Sequence, residues 1–311
     1  MQRFTACGST VYLSATPVHM VHLIGGFTFG SLPQIFYRRL AEELCSEKHY
    51  SVVLHPFPFN PFVPDHWSLA LALYVRLRTL QLRDLPRLSD HNPFYLKRSN
   101  HVWLGHSLGC KLIELLELLS LPPDPRRAAL RQILSAAEVD RIERLIGDTV
   151  DRLQGMARQI TPQSASSADE SFSIEWNRQL SRRKDGKPLQ FILDQPSVLM
   201  APQISGATRI PATDLRLYNA AVQPSWEQTC YLVRSQSSIF NLTDLIRFSD
   251  DTIAADDIVF LRQVLELRHN PQNRNIVREV PGGHLRPLCP TPALLEAIAA
   301  SISSLPQQDS P

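Results

Sequence analysis

The sequence predicts an α/β fold: a mostly parallel central sheet flanked by helices, with a helical lid-like insertion. Three observations predict it. Short runs rich in Val, Ile and Leu, such as "VHMVHLI" from Val18 to Ile24, lack period-two alternation and read as strands buried on both faces. They alternate with longer segments of helical apolar spacing, which supply the crossovers that parallel strands require. The alternation breaks once, from Leu121 to about Gln195, and then resumes.

The first run ends at Gly25-Gly26. "LPQIFYRRLAEELCSE" (Leu32 to Glu47) follows as a helix, with Pro33 near its start, where a missing amide costs no hydrogen bond. "SVVLHPF" reads as the second strand. Asp65 to Leu85 reads as a helix, with Asp65 as a candidate cap. "HVWL" from His101 is the next strand and "CKLIELLELLS" the next helix. Then "PPDP" opens the interruption. There Leu130, Ile133, Leu134, Val139, Ile142, Leu145, Ile146, Val150 and Leu153 recur at near-helical spacing, before the polar linkers "TPQSASSADES" and "SRRKDGKP". "PSVLMAP" (Pro196 to Pro202) resumes the strand pattern. "QTCYLVRS" and "TDLIRFSDD" are further strand candidates, and "ADDIVFLRQVLELR" looks helical. "NIVREVPGGH" holds a last short strand. "TPALLEAIAASISSL" is a closing helix that Pro290 and Pro292 help to start. The expected organisation is a core formed by 1–120 and 196–305, an insertion at 121–195 and a frayed tail at 306–311.

The 311 residues are 43% hydrophobic and 20% charged, which is globular composition and excludes a largely disordered chain. A net charge of +2 supplies no field for nucleic acid or other polyanions. Five widely spaced cysteines form neither a CxxC pair nor a zinc-like cluster, so reduced thiols in a cytoplasmic setting are expected. The N-terminus does not read as a signal peptide, and no run reaches about 18 apolar residues, so no integral membrane segment is expected. The oligomeric state is left open.

The chemistry sits at Gly105-His106-Ser107-Leu108-Gly109, a G-x-S-x-G motif between a strand and a helix. Glycines on both sides let the backbone pass close to its neighbours while Ser107 is held in a strained turn with its hydroxyl exposed. The Leu108 amide, at the start of the following helix, would face an anion forming beside Ser107.

With these residues the chain resembles the α/β-hydrolase superfamily over nearly its whole length except the insertion. More narrowly, "VHLIGGFTFGSLPQIFYRRLAEEL", "GHSLGCKL", "LIRFSDDTI" and "PGGHLRPL" resemble an uncharacterised hydrolase-like family of photosynthetic bacteria and plastids. The superfamily implies a nucleophile, acid, histidine order. Its late G-x-x-D-x-x-V turn corresponds to "IRFSDDTI", with Phe248 replacing the glycine, which implies Asp251 as the acid and Asp250 as the alternative. His284, in "VPGGHLRPL", is the implied base. The loop "LIGGFTFG" would lend a second oxyanion amide, from Gly26 or Phe27, beside that of Leu108. His106 is expected to pack or line a wall, and His22 and His55 to be satisfied histidines of core or edge strands.

The implied function is a serine hydrolase that cleaves a small-molecule carboxylic ester or thioester through Ser107, His284 and an aspartate. Two alternatives remain: an inactive binding or scaffold protein on the same fold, and an acyltransferase using the same residues. No cofactor or metal is expected, because HExxH, a G-x-G-x-x-G loop and a phosphate loop are all absent from the sequence. The insertion would govern substrate choice. Its apolar positions either line an acyl pocket or glue helices to the sheet, and its arginines, interleaved with acids, read as a solvated face.

Overall fold

The computed structural model describes residues 1–58, 65–80, 84, 93–96, 98–159, 192–193, 195–205, 222–268 and 277–305. Eight strands form one sheet in the order β1-β2-β4-β3-β5-β6-β7-β8. They are β1 (Gln2–Ala6), β2 (Ser9–Leu13), β3 (His19–Ile24), β4 (Tyr50–His55), β5 (His101–His106), β6 (Ser197–Met200), β7 (Thr243–Phe248) and β8 (Val277–Val280). From β4 to β8 every pairing is parallel, whereas β2 runs antiparallel to both β1 and β4. The chain winds outward from β3 to β4 and then crosses back to β5. The loops leaving β3 and β5 therefore diverge at a topological switch point, where open α/β sheets place their ligand crevice.

Among the described residues the helices are α1 (Pro33–Phe36), α2 (Arg38–Glu47), α3 (His66–Thr79), α4 (Leu108–Ser120), α5 (Pro123–Arg131), α6 (Ala136–Gln159), α7 (Trp226–Ser235), α8 (Ala255–Leu267) and α9 (Pro292–Ser304). Leu40 and Leu44 of α2 and Leu294, Leu295, Ile298 and Ile302 of α9 pack with Val21, Leu23, Val102 and Leu104 on one face. Ile24, Trp103 and Leu199 on the other face pack with α3 to α8. Caps act as the residue types require: the Asp65 carboxylate accepts from the Ser68 amide, and Thr291 caps α9, whose first residue is Pro292.

Three elements differ from the sequence reading. The hairpin β1–β2 is absent from that reading; it turns at Cys7 (φ 49°) and Gly8 (φ 74°), and a cysteine is an unusual signal for that conformation. The expected strand "QTCYLVRS" is helix α7. Its β-rich composition yields to a capping box in which the Gln228 amide donates to Ser225 Oγ and the Ser225 amide to Gln228 Oε1, and Thr229, Cys230, Leu232 and Val233 then share the buried face. The segment from Leu32 to Glu47 is two helices that meet at the fully buried Tyr37.

In the interrupted region, Leu130, Val139, Ile142 and Ile146 of α5 and α6 are buried with α3 and α4, so these positions glue helices to the core. Arg126 departs from the expected solvated face. Its guanidinium pairs with both Glu143 oxygens at 2.7 Å and donates to the Leu119 and Leu121 carbonyls, tying α5 to the end of α4. The two polar linkers and the tail at 306–311 lie outside the described residues.

His22 and His55 are satisfied within the core by a run of imidazoles across three strands. His101 Nε2 lies 3.1 Å from the Tyr95 carbonyl, which can only accept, so His101 Nδ1 must accept from His22 Nε2 at 2.8 Å. His22 Nδ1 then accepts from His55 Nε2 at 2.9 Å, and His55 Nδ1 from Ser9 Oγ at 3.1 Å. Every ring is neutral in this arrangement. Burial lowers the His22 pKa well below the ordinary value and that of His55 to about 3. The unfolded chain protonates these rings near pH 6.5, so it binds more protons than the native state below that pH. Stability is complete above about pH 6.5 and is expected to fall as pH drops towards 3, by about 1.4 kcal/mol per unit for each ring held neutral. Urea unfolding midpoints at pH 7.5 and 5.5 measure this; equal midpoints would contradict it.

Candidate active site

Ser107 follows β5 and precedes α4 with φ 55° and ψ −122°, a conformation that costs a non-glycine residue about 1–3 kcal/mol. Its neighbours hold it there. The Ser107 amide donates to the Met200 carbonyl at 3.1 Å, and the Ser107 carbonyl accepts from the amides of Cys110 and Gln203. The flanking glycines are needed for contact with β3 and α4. A Cβ at Gly105 would meet Cys110 and Ile113 within about 3 Å, and one at Gly109 would fall 2.0 Å from the Ile24 carbonyl oxygen. Gly26 follows β3 beside them, and a Cβ there would sit 2.6 Å from Ser107 Cβ. The loops after β3 and β5 are thus pressed together around the serine.

His284 follows β8 and a turn containing Gly282 (φ 124°), whose amide donates to Ser249 Oγ and whose carbonyl accepts from the Asp250 amide. This turn brings the imidazole over the sheet end. His284 Nε2 is 2.9 Å from Ser107 Oγ, and Nδ1 is 2.9 Å from Asp251 Oδ2. The other Asp251 oxygen accepts from the amides of Ile253 and Ala254 at 2.8 and 3.1 Å. Burial alone would raise the Asp251 pKa, but the His284 hydrogen bond and charge, with the two amides, outweigh it and hold the carboxyl below its ordinary value. Of the two expected acids, the structure brings Asp251 to His284. Asp250 is exposed and meets the loop through its backbone. Phe248, at the position of the superfamily glycine, is buried and is not among the residues at positive φ, so a side chain is tolerated there.

The carboxylate accepts the Nδ1 proton of His284, which leaves Nε2 as an acceptor facing the serine hydroxyl. This arrangement can move the Ser107 proton to His284 while the resulting imidazolium lies against a carboxylate. Leu108 begins α4, where the first amides have no partner within the helix, and it directly follows Ser107.

Two further residues join the site that the sequence reading does not single out. Tyr37 Oη accepts from the Gly26 amide at 2.8 Å and donates to His106 Nδ1 at 2.6 Å. His106 Nε2 in turn donates to the His284 carbonyl at 2.8 Å. His106 is therefore a fully buried bridge between the β3 loop and the backbone of His284, and burial pushes its pKa down to about 3, keeping it neutral. Of the two expected donors on the β3 loop, the Gly26 amide is already engaged by Tyr37. Phe27 (φ 29°) is the other. The second newcomer is Gln203, whose Oε1 lies 2.8 Å from Ser107 Oγ. No motif marks Tyr37 or Gln203; the sole sequence signal for Gln203 is its place just after a strand's carboxyl end. Among the described residues no group of three His, Cys, Asp or Glu side chains could hold a metal ion, and no helix is long and apolar enough to cross a membrane.

Comparison with known proteins bears on the fold. A family described as "Protein of unknown function (DUF1350)" matches residues 5–136. The search of curated proteins finds no match. Among solved structures, esterase B from Lactobacillus rhamnosis, inhibited by a tributyrin phosphonate, superposes with a TM-score of 0.53 at 14% identity, over 95% of this chain and 80% of that one. Carboxyl esterase 2 from the mycorrhizal fungus Tuber melanosporum gives 0.52 at 13% identity, over 95% and 81%. A hyperthermophilic esterase from the archaeon Pyrobaculum calidifontis gives 0.51 at 13% identity, over 95% and 78%. At such identities the likeness concerns architecture. Strand order, the serine turn after β5 and these superpositions agree on one conclusion: this chain has the α/β-hydrolase fold, with added helices between β5 and β6.

Proposed function

We propose that the protein is a serine hydrolase acting on a carboxylic ester or thioester. The hydrogen-bonded run Ser107, His284, Asp251 carries this reading. His284 takes the Ser107 proton as the hydroxyl attacks the acyl carbon, Asp251 stabilises the imidazolium, and the alcohol or thiol leaves with the proton returned by His284. Water then repeats the sequence on the acyl-enzyme. The amides of Leu108 and Phe27 hold the oxyanion, and α4 and its dipole support the first of them. The narrower kinship with the hydrolase-like family of photosynthetic bacteria and plastids belongs to the same proposal, and the quoted motifs support it.

Labelling with a fluorophosphonate tests the reading directly. The wild-type protein is expected to be labelled, and Ser107→Ala, folded to the same melting temperature, is expected not to be. Folded wild-type protein that resists the probe would refute an activated serine and favour a binding role on this fold.

A further inference from the structure

Gln203 stands against the reacting oxygen. It follows β6 after Ala201, which is held at φ 46°, so the chain bends back towards the Ser107 turn there at the cost of backbone strain. The turn is fastened twice. The Gln203 amide donates to the Ser107 carbonyl at 3.2 Å, and the Ala201 amide donates to the Ile246 carbonyl at 2.9 Å. The side chain is 2% exposed. Its Oε1 and His284 Nε2 lie 2.8 and 2.9 Å from Ser107 Oγ, so two acceptors face a hydroxyl with one proton. Its Nε2 is buried with no hydrogen-bond partner.

A buried donor without a partner costs about 1–3 kcal/mol, and a half-turn of the carboxamide relieves it by setting Nε2 against Ser107 Oγ, whose one proton then goes to His284 alone. The Gly26 amide, one of two donors expected from the β3 loop, is meanwhile held by Tyr37. We propose that Gln203 is a further catalytic residue, supplying a side-chain N–H to the tetrahedral intermediate. This rests on the hydrolase reading above. In the step concerned, the Ser107 Oγ to acyl carbon bond forms, the Ser107 proton passes to His284 Nε2, and the carbonyl π pair moves onto the oxygen. Once the hydroxyl proton has left, an Oε1 kept there would face an oxygen with nothing to donate. The half-turn of the carboxamide about its last bond exchanges Oε1 for Nε2 with little change in shape. The amide then donates to Ser107 Oγ, the oxygen newly bonded to the acyl carbon, while Leu108 serves the oxyanion.

The test uses Gln203→Met, which keeps length and burial but removes donor and acceptor, and Gln203→Ala as a second variant. Each is assayed for melting temperature, for kcat and KM with a short p-nitrophenyl ester, and for inhibition by a short-chain trifluoromethyl ketone. That ketone adds reversibly to a serine and carries the same oxyanion. The expected result is a kcat lower by about 10²–10³-fold with KM little changed, and a Ki for the ketone raised by a similar factor. Folded variants that keep kcat and Ki near wild type would overturn the inference while leaving the hydrolase reading intact. So would a loss carried by KM alone, or a fall in kcat without a matching rise in Ki. A wild-type protein unreactive toward fluorophosphonate overturns both.

Discussion

In Asp251→Asn, kcat toward short p-nitrophenyl esters is expected to fall by roughly 10⁴-fold, while Asp250→Asn stays near wild type. The carboxylate accepts from His284 Nδ1 at 2.9 Å, which places the ring's proton on Nδ1 and its lone pair towards Ser107. An asparagine can turn its amide to donate to Nδ1 instead. The proton then resides on Nε2, and no base faces the hydroxyl. Because the amides of Ile253 and Ala254 are satisfied by the other oxygen, asparagine can keep both bonds and the turn should persist. Unchanged melting curves with abolished turnover is the expected pattern. If Asp250→Asn alone lost activity, the acid has been misassigned and the geometry around Asp251 is structural.

The largest expected effect on stability is at Gly109. A methyl group there would lie 2.0 Å from the Ile24 carbonyl oxygen and 2.7 Å from that of Gly25, both backbone atoms at the end of β3. Nothing can rotate aside. Helix α4 would have to move off the sheet, carrying with it the Leu108 amide and the strained turn at Ser107. Gly109→Ala is expected to cost about 3 kcal/mol or more, the upper end of what overpacking usually costs, because the neighbours it meets are backbone atoms. Gly147 provides the contrast: it is exposed within α6, and a methyl added there would meet nothing within 4 Å. Gly147→Ala should stabilise the protein by about 0.5–1 kcal/mol through helix propensity alone. Urea denaturation of the two variants checks both values, and a Gly109→Ala protein as stable as wild type would refute the packing argument.

These contrasts show why some of the protein is readable from its residues and some is not. The strands β3 to β6 are legible because burial on both faces leaves continuous apolar runs, and Asp65 is legible because a carboxylate before a helical pattern has an amide to accept. Helix α7 reads wrongly as a strand because the β-rich residues of "CYLV" carry a propensity that a capping box and one buried face override. The hairpin β1–β2 escapes notice because its turn uses Cys7 where an asparagine or glycine would be the usual signal. In the site, Ser107 is visible through its glycines, which record how closely the backbones must pass. Tyr37, His106 and Gln203 are not visible in their roles, because a hydrogen-bonding partner across 69 or 96 residues leaves no local spacing to read.

The amino-acid sequence by itself determined the alternation of strand and helix, the sharp turn at Ser107 and the expectation of where an acid and a histidine would fall. Those are consequences of local conformation and of hydrophobic period, which neighbouring residues encode. Only the tertiary structure decided that Asp251 rather than Asp250 reaches His284, that Tyr37 takes the Gly26 amide, and that the Gln203 carboxamide lies against the Ser107 hydroxyl. Each of those depends on distances of a few ångströms between loops that leave different strands, and only the packed sheet sets such distances.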